Sequence, residues 1–146
     1  MNPSDRAERM FADGYCCSQA ICATFSERFG LDPDTALRLA QSFGGGMARR
    51  GLTCGAVTGA LMVIGLARGA TDPGDEDARD TMDELSRELM DRITARFGSI
   101  ACDEIVGIDS GVEGARHAAR EDGSFDRVCP GLIRETAEIL DEILNS

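Results

Sequence analysis

Apolar residues recur along this chain at intervals of three and four, the spacing of one face of an α-helix, and no stretch alternates convincingly with the two-residue period of a strand. Glycine and proline separate the helical segments from one another. We therefore predict an all-α fold, in which residues 1–146 form one domain, a bundle of about six or seven helices.

The first half of the chain carries the clearest helix signals. Asp32 and Pro33 are a typical cap and first residue of a helix, and three consecutive glycines, residues 44–46, end that helix. An apolar stripe that includes Cys17, Ile21 and Phe25 predicts the preceding helix and places Cys17 on its core side. The expected helices cover about residues 4–12, 15–29, 33–43 and 53–68.

The second half of the chain predicts one long helix, one terminal helix and two short ones. The polar turn TDPGDEDARD precedes a long amphipathic helix that should end near Phe97. Two glycine-flanked segments, ACDEIVGI and GVEGARHAAR, can each carry a short helix. The last helix is expected over residues 125–144, with Cys129 on its apolar face and Pro130 tolerated because it would lie in the first turn.

The segment GLTCGAVTGALMVIG, residues 51–65, consists almost entirely of glycine, alanine and aliphatic residues. Its apolar run of about a dozen residues is shorter than the ~20 needed to cross a bilayer, so we predict a buried core helix that is not membrane-embedded. Gly55 and Gly59 leave a nearly bare helix face on which another backbone can pack closely. The same two glycines are our candidate cofactor-binding positions.

Composition narrows the classes of partner and compartment. The chain has 26 acidic and 15 basic residues and a formal net charge of −11, which disfavours nucleic acid and anionic membranes as partners. The first eight residues lack the order of a signal peptide, so we expect a cytoplasmic protein without structural disulfides. In that compartment, six cysteines are more typical of metal binding or redox chemistry.

Four of the cysteines fall near the starts of different predicted helices. At a helix N-terminus the dipole and the unpaired N–H groups stabilise a thiolate, which is the form that acts as nucleophile and as metal ligand. We expect Cys54 to be the thiol with a lowered pKa that attacks, because Arg49 and Arg50 precede it closely. No C-x-x-C is present, so only the fold can bring these four together: Cys17, Cys54, Cys102 and Cys129.

The other candidates have simpler interpretations. Cys16 should point away from Cys17 on the helix, and Cys22 lies beyond the first turn, so we expect both to be packing or incidental thiols. His117, the only histidine, lies close to two arginines and is expected to be solvated. The loop GGGMARRG lacks the order of a phosphate-binding loop and is interpreted as a flexible turn.

Four stretches, in order along the chain, resemble a redox-active protein family named for its C…GCAxxG/CGAxxG…C…C cysteines. They are GYCCSQA at residues 14–20, CGAVTG at residues 54–59, FGSIAC ending at residue 102 and CPGLI starting at residue 129. The resemblance covers nearly the whole chain. It implies that the family's four cysteines, which would act as catalytic thiols or as metal ligands, are Cys17, Cys54, Cys102 and Cys129.

The resemblance also carries expectations about biology. Members of this family are small, mostly cytoplasmic bacterial or archaeal proteins, some with selenocysteine in place of a cysteine, and their genes often lie near transporter genes. It therefore implies an unidentified redox partner and a functional link to a transporter. Cys16 departs from the family pattern, in which a small polar residue is usual, and leaves open whether Cys16 or Cys17 reacts.

Two mechanisms fit these residues: thiol–disulfide exchange, and electron transfer by an iron–sulfur cluster held by the four thiolates. The selenocysteine of relatives favours the first, and the number four favours the second, as does the iron–sulfur centre proposed for a similar domain in split-Soret-type cytochromes. A structural zinc site and a helical interaction protein with buried thiols are the alternatives. No C-x-x-C-H is present, so no c-type haem is expected. The sequence leaves open the cofactor, the electron donor and acceptor, and whether the protein forms a homodimer.

Overall fold

The computed structural model describes residues 1–146 and confirms the all-α prediction. It contains eight α-helices, more than the expected six or seven, because both short glycine-flanked segments fold as helices. Short 3₁₀ turns continue two of them, at Glu27–Phe29 and at Gln41–Phe43. The helices are α1 (Pro3–Ala12), α2 (Cys17–Ser26), α3 (Pro33–Ala40), α4 (Gly55–Arg68), α5 (Glu76–Phe97), α6 (Cys102–Val106), α7 (Ala115–Glu121) and α8 (Ser124–Asn145).

The helix starts follow the capping chemistry of the sequence. The Asp32 carboxylate accepts a hydrogen bond from the Thr35 N–H at 3.0 Å, and Pro33 is the first residue of α3, as predicted. One expectation is wrong: Pro130 lies beyond the first turn of α8, because this helix already begins at Ser124. Proline has no N–H to donate at that position, so one hydrogen bond of the helix is missing there.

The main core lies between α1, α2, α4, α5 and α8. The buried residues Ile21 and Phe25 of α2 belong to it together with Val57 and Ile64 of α4. Burying an aliphatic or aromatic side chain of this size stabilises the fold by about 1.5–3 kcal/mol. The predicted apolar stripe of the last helix is confirmed, since each of its members is buried: Cys129, Leu132, Ile133, Thr136, Leu140 and Ile143.

A short backbone pairing joins the starts of α4 and α6. Thr53 and Ala101 form an isolated antiparallel bridge. Beside it, the Cys54 N–H donates to the Ile100 carbonyl at 2.7 Å, and the Cys102 N–H donates to the Leu52 carbonyl at 2.6 Å. The first residues of two helices distant in sequence are therefore held side by side.

The apolar helix α4 is part of the core, as predicted. None of the eight helices combines the length and the apolar character needed to cross a membrane.

Candidate functional site

A cavity of about 660 Å³ brings together five of the six cysteines. This volume lies within the ~300–1,000 Å³ that is common for sites of small molecules. Apolar side chains such as Phe125 and Leu132 form part of the wall, and Arg49, Arg116 and Arg120 also line it. The cysteines of the cavity are Cys16, Cys17, Cys54, Cys102 and Cys129.

Cys17 and Cys54 lie at the N-termini of two helices that pack against each other. Cys17 is the first residue of α2, and Cys54 is the N-cap of α4. The helices approach closely because Gly59 has no side chain: a Cβ there would lie 2.8 Å from the Ser18 carbonyl oxygen. The bare face of α4 expected from the sequence is thus the face that α2 covers.

The glycine that follows Cys54 makes room for the Cys17 sulfur. A Cβ on Gly55 would overlap Cys17 Sγ and lie 3.0 Å from the Phe43 carbonyl oxygen. Any larger residue would therefore displace the sulfur from its place against the first residue of α4.

The pKa of Cys17 is lowered from an ordinary value of 9.0 to about 6. Its hydrogen bond with the Cys54 thiol is the largest cause; burial opposes the shift, and the backbone N–H groups of Gly45, Ser18 and Gly55 add to it. Ser18 and Gly55 belong to the first turns of α2 and α4, so the sulfur lies at the positive ends of two helix dipoles. These contacts favour the thiolate form of Cys17.

Cys54 has the opposite shift, which corrects the expectation that it would be the thiol with the lowered pKa. Its pKa is raised well above the ordinary value by hydrogen bonding to Cys17, by burial and by the negative charge on Cys17. Arg49 and Arg50 are exposed, and neither is a main cause of the shift. Because the two neighbouring sulfurs share one proton, only one of them is ionised, and the N–H groups around Cys17 favour the charge there.

Cys102 and Cys129 remain thiols at neutral pH. Burial is the main cause that raises the pKa of Cys102, and hydrogen bonding from Arg116 opposes it. Burial also raises the pKa of Cys129 to about 12. These two thiols complete the cavity wall without carrying charge.

The loop between α3 and α4 forms another part of the wall with an uncommon backbone. Residues 45–49 all have positive φ values, and three of them are not glycine: Met47 (67°), Ala48 (51°) and Arg49 (63°). The left-handed region costs an L-residue about 1–2 kcal/mol. The glycines allow close approach, because a Cβ on Gly44 would lie 2.7 Å from Cys16 Sγ.

Arg116 of α7 reaches the same cavity. Its Nη1 donates to Ser110 Oγ at 2.8 Å, and Ser110 Oγ donates to Asp103 Oδ1 at 2.5 Å. The guanidinium lies over Phe125, 4.9 Å from the ring centroid. Its Nε is buried and has no hydrogen-bond partner, and Arg116 takes part in none of the ion pairs of the protein.

Residues 15–143 match the model of the family described as "Putative redox-active protein (C_GCAxxG_C_C)". The match spans most of the chain and includes every cysteine of the cavity. The chain belongs to this family. No curated protein and no solved structure matches it.

The box that gives the family its name has a structural role in this member. The chain reads CGAVTG at residues 54–59, so the cysteine precedes the glycine, whereas the family name gives the two in the opposite order. In this order Cys54 caps α4, Gly55 admits the Cys17 sulfur and Gly59 admits the backbone of α2. The box therefore builds the contact between two of the family's cysteines.

A metal site would require at least three of these side chains to be grouped around one ion. No group of three or more His, Cys, Asp or Glu side chains is placed to hold a metal ion. Cys17 and Cys54 interact as a pair, and the charge on Cys17 also raises the pKa of Cys102 and of Cys129 in the same cavity. As the structure places them, these cysteines are interacting thiols and not a ready-made metal site.

Cys16 does not point away from Cys17 as expected, whereas Cys22 packs in the core as expected. Cys16 is the N-cap of α2 with extended φ and ψ values of −74° and 166°, so the angle between successive helical residues does not apply, and it lines the same cavity as Cys17. Its Sγ lies 3.2 Å from Ser18 Oγ. Cys22 is 1% exposed and packs in a small cluster with Ala23, Ala36 and Ala40.

Sequence reasoning missed Arg116. Its neighbour His117 has a side chain that is 77% exposed, which confirms the expected solvation. In the segment ARHAAR nothing local distinguishes Arg116 from the residues around it, because only the placement of α7 decides which side chain turns inward. The only feature of the sequence that points to Arg116 is that ARHAAR is a basic segment in an acidic chain, which is weak evidence for a site.

Proposed function

We propose that this family member carries out thiol–disulfide exchange, with Cys17 as the nucleophile and Cys54 as the resolving thiol. The observation that supports this proposal is the Cys17 sulfur at the starts of α2 and α4, hydrogen-bonded to the Cys54 thiol. A thiolate attacks a disulfide far more readily than a thiol does. Cys102 and Cys129 are site residues that stay protonated beside this pair.

The reaction oxidises two protein thiols and reduces one substrate disulfide. The Cys17 thiolate attacks a sulfur of the substrate, the substrate S–S bond breaks, and a mixed disulfide on Cys17 forms as one thiolate leaves. Cys54 then gives its proton to a leaving thiolate and attacks Cys17 Sγ, which releases the second half of the substrate. The products are a Cys17–Cys54 disulfide, one substrate thiol that carries the proton of Cys54, and one substrate thiolate that takes its proton from water.

Trapping of the mixed disulfide tests these roles. In Cys54→Ser, a disulfide probe should remain attached to Cys17, as localised by fragment mass spectrometry, whereas the wild type should release it and lose two thiols. Cys22→Ala is the matched control, because Cys22 lies outside the cavity. Attachment of the probe to Cys102 or Cys129 in Cys54→Ser, or no reaction of the wild type, would contradict the proposal.

Iron–sulfur chemistry is the second candidate, favoured by the four family cysteines that line one cavity. Anaerobic purification followed by absorption spectroscopy and by iron, zinc and sulfide analysis separates the two. A colourless, metal-free protein that gains two thiols on reduction supports the exchange proposal, and stoichiometric iron with sulfide overturns it.

We further propose that the protein works in the cytoplasm. All six cysteines are free, which is typical of proteins in a reducing compartment.

A further inference from the structure

The cavity beside the Cys17–Cys54 pair contains a cation, Arg116, that makes no direct ion pair and reaches the Asp103 carboxylate only through the Ser110 hydroxyl. Arg116 is partly buried, donates to a neutral hydroxyl and makes no ion pair. Its Nε is buried and unpartnered. Partial burial of a charged group without a direct ion pair costs free energy, and an anion that pairs with the part of the guanidinium lining the cavity would offset this cost.

The lowered pKa of Cys17 has main causes other than Arg116. Arg116 is not among the main causes that lower the pKa of Cys17, while it does act on Cys102 and Cys129, both of which are neutral thiols. Asp126 also lines the cavity, but it forms no ion pair with Arg116. The guanidinium is therefore free to pair with a group that enters the cavity.

The surroundings of Arg116 hold it in place for such a group. Ser110 accepts its Nη1 hydrogen bond and is itself fixed by Asp103, to which it donates from both its hydroxyl and, at 2.7 Å, its backbone N–H. The Phe125 ring packs against the guanidinium plane. A planar guanidinium held in one orientation matches the two oxygens of a carboxylate.

The cavity carries a positive bias in an acidic protein. Three arginines and one aspartate line it, whereas the whole chain has a net charge of −11. Its volume of about 660 Å³ suits a small molecule, and Cys17 is partly buried within it.

We propose that the substrate is a low-molecular-weight disulfide that bears a carboxylate, with Arg116 binding the carboxylate while Cys17 attacks the disulfide sulfur. This inference rests on the proposed exchange function and names its substrate class. The electron balance is that of the exchange reaction, with the carboxylate unchanged, and a dithiol reductant that is itself oxidised to a disulfide returns the protein pair to its starting state.

A charge series of matched probes tests the inference. In a Cys16→Ser, Cys54→Ser background, stopped-flow release of thiol and mass spectrometry give the rate of mixed-disulfide formation at Cys17. The probes are dithiodipropionate, hydroxyethyl disulfide and cystamine, which are dialkyl disulfides with two negative charges, no charge and two positive charges. We expect the dianion to react roughly tenfold faster than the neutral probe, because one charge-assisted hydrogen bond to the carboxylate changes the rate by about this factor.

Variants of Arg116 separate local binding from overall charge. Arg116→Gln should remove the preference for the dianion over the neutral probe, whereas Arg116→Lys should keep part of this preference. Arg87→Gln makes the same change in net charge, and Arg87 is 73% exposed on α5 and outside the cavity, so it should keep the full preference.

The outcomes distinguish the two proposals. Equal rates for the three probes, or a preference for the dianion that survives in Arg116→Gln, overturn the carboxylate inference while exchange at Cys17 stands. Failure of every probe to react at Cys17 overturns the exchange proposal itself. Should Arg116→Gln not fold, the order of rates for the three probes without that substitution still decides, because the inference requires the dianion to be fastest.

Discussion

Among single residues, the contrast between Cys17 and Cys54 comes from small differences in what surrounds two neighbouring sulfurs. Both are at helix N-termini, but Cys17 also faces the backbone N–H groups of Gly45, Ser18 and Gly55. Once the shared proton lies on Cys54, the negative charge of Cys17 raises the pKa of Cys54 further. The two roles in exchange follow from this division.

Alkylation of Cys17 should therefore follow an ionisation near pH 6. Measured by iodoacetamide labelling and mass spectrometry in a Cys16→Ser background, the rate should reach half its plateau near pH 6, the pKa of Cys17. Cys54→Ala removes the largest cause of the shift, so the midpoint should move upward and the rate at pH 6 should fall roughly tenfold. An unchanged midpoint in Cys54→Ala would show that Cys54 does not act on this ionisation.

Two glycines of α4 provide a matched pair of substitutions. Gly55→Ala should displace Cys17 Sγ, lower the rate of alkylation at neutral pH and destabilise the fold, because the new Cβ would overlap the sulfur. Gly65→Ala should stabilise the fold by about 0.5–1 kcal/mol, since its Cβ would meet only Met82 Cε, at 3.9 Å. Urea unfolding and alkylation of both variants check this prediction, and a Gly55→Ala variant with wild-type alkylation would contradict it.

Among the elements, the loop between α3 and α4 sets the shape of the cavity. Its left-handed residues 45–49 supply Gly45 and Arg49 to the wall. Gly46 lets the backbone of the loop pass close to Cys102, because a Cβ added to Gly46 would lie 2.8 Å from the Cys102 Cβ. The bridge between Thr53 and Ala101 then fixes the start of α6 beside this loop. Short irregular segments, more than the long helices, determine where Cys102 lies.

The strain in this loop predicts that one Ala→Gly substitution is stabilising. Ala48 has a φ of 51°, so Ala48→Gly should raise the free energy of unfolding by about 0.5–1 kcal/mol, because glycine adopts this region without the penalty of an L-residue. Ala95→Gly in the exposed part of α5 should lower it by a similar amount. Chemical unfolding of both variants is the measurement, and a destabilised Ala48→Gly would argue against a strained loop.

For the molecule as a whole, the ionisation of Cys17 links stability to pH. The pKa of Cys17 is about 6 in the folded protein and 9.0 without perturbation. The contribution of the Cys17 thiolate to the free energy of unfolding is therefore fully present above pH 9 and is lost as the pH falls through 6. Above pH 9 the raised pKa values of Cys54, Cys102 and Cys129 act in the opposite direction, because the unfolded chain releases protons that the folded chain retains.

Comparison of the wild type with Cys17→Ala tests this linkage. The free energy of unfolding in urea, measured at pH 5, 7 and 9 under reducing conditions, should rise with pH more steeply for the wild type than for the variant. Parallel pH profiles for the two proteins would contradict a lowered pKa for Cys17.

The sequence by itself determined the helices and their caps, because these depend on neighbours within a few residues. Asp32 and Pro33 start α3, Cys54 precedes α4, and the apolar stripe of α8 is buried, as local pattern predicted. The sequence also identified four of the five cysteines that line the cavity, through the order of its motifs.

Only the tertiary structure decided which thiol is ionised, that Cys16 shares the cavity, and that Arg116 faces it. The pKa of Cys17 depends on atoms of Gly45, Cys54 and Gly55, which lie far along the chain and approach only when α2 packs on α4. Charge and hydrogen bonding act through distances in space, and these distances are set by the packing of helices and by the left-handed loop. Periodicity and spacing in the sequence carry no information about them.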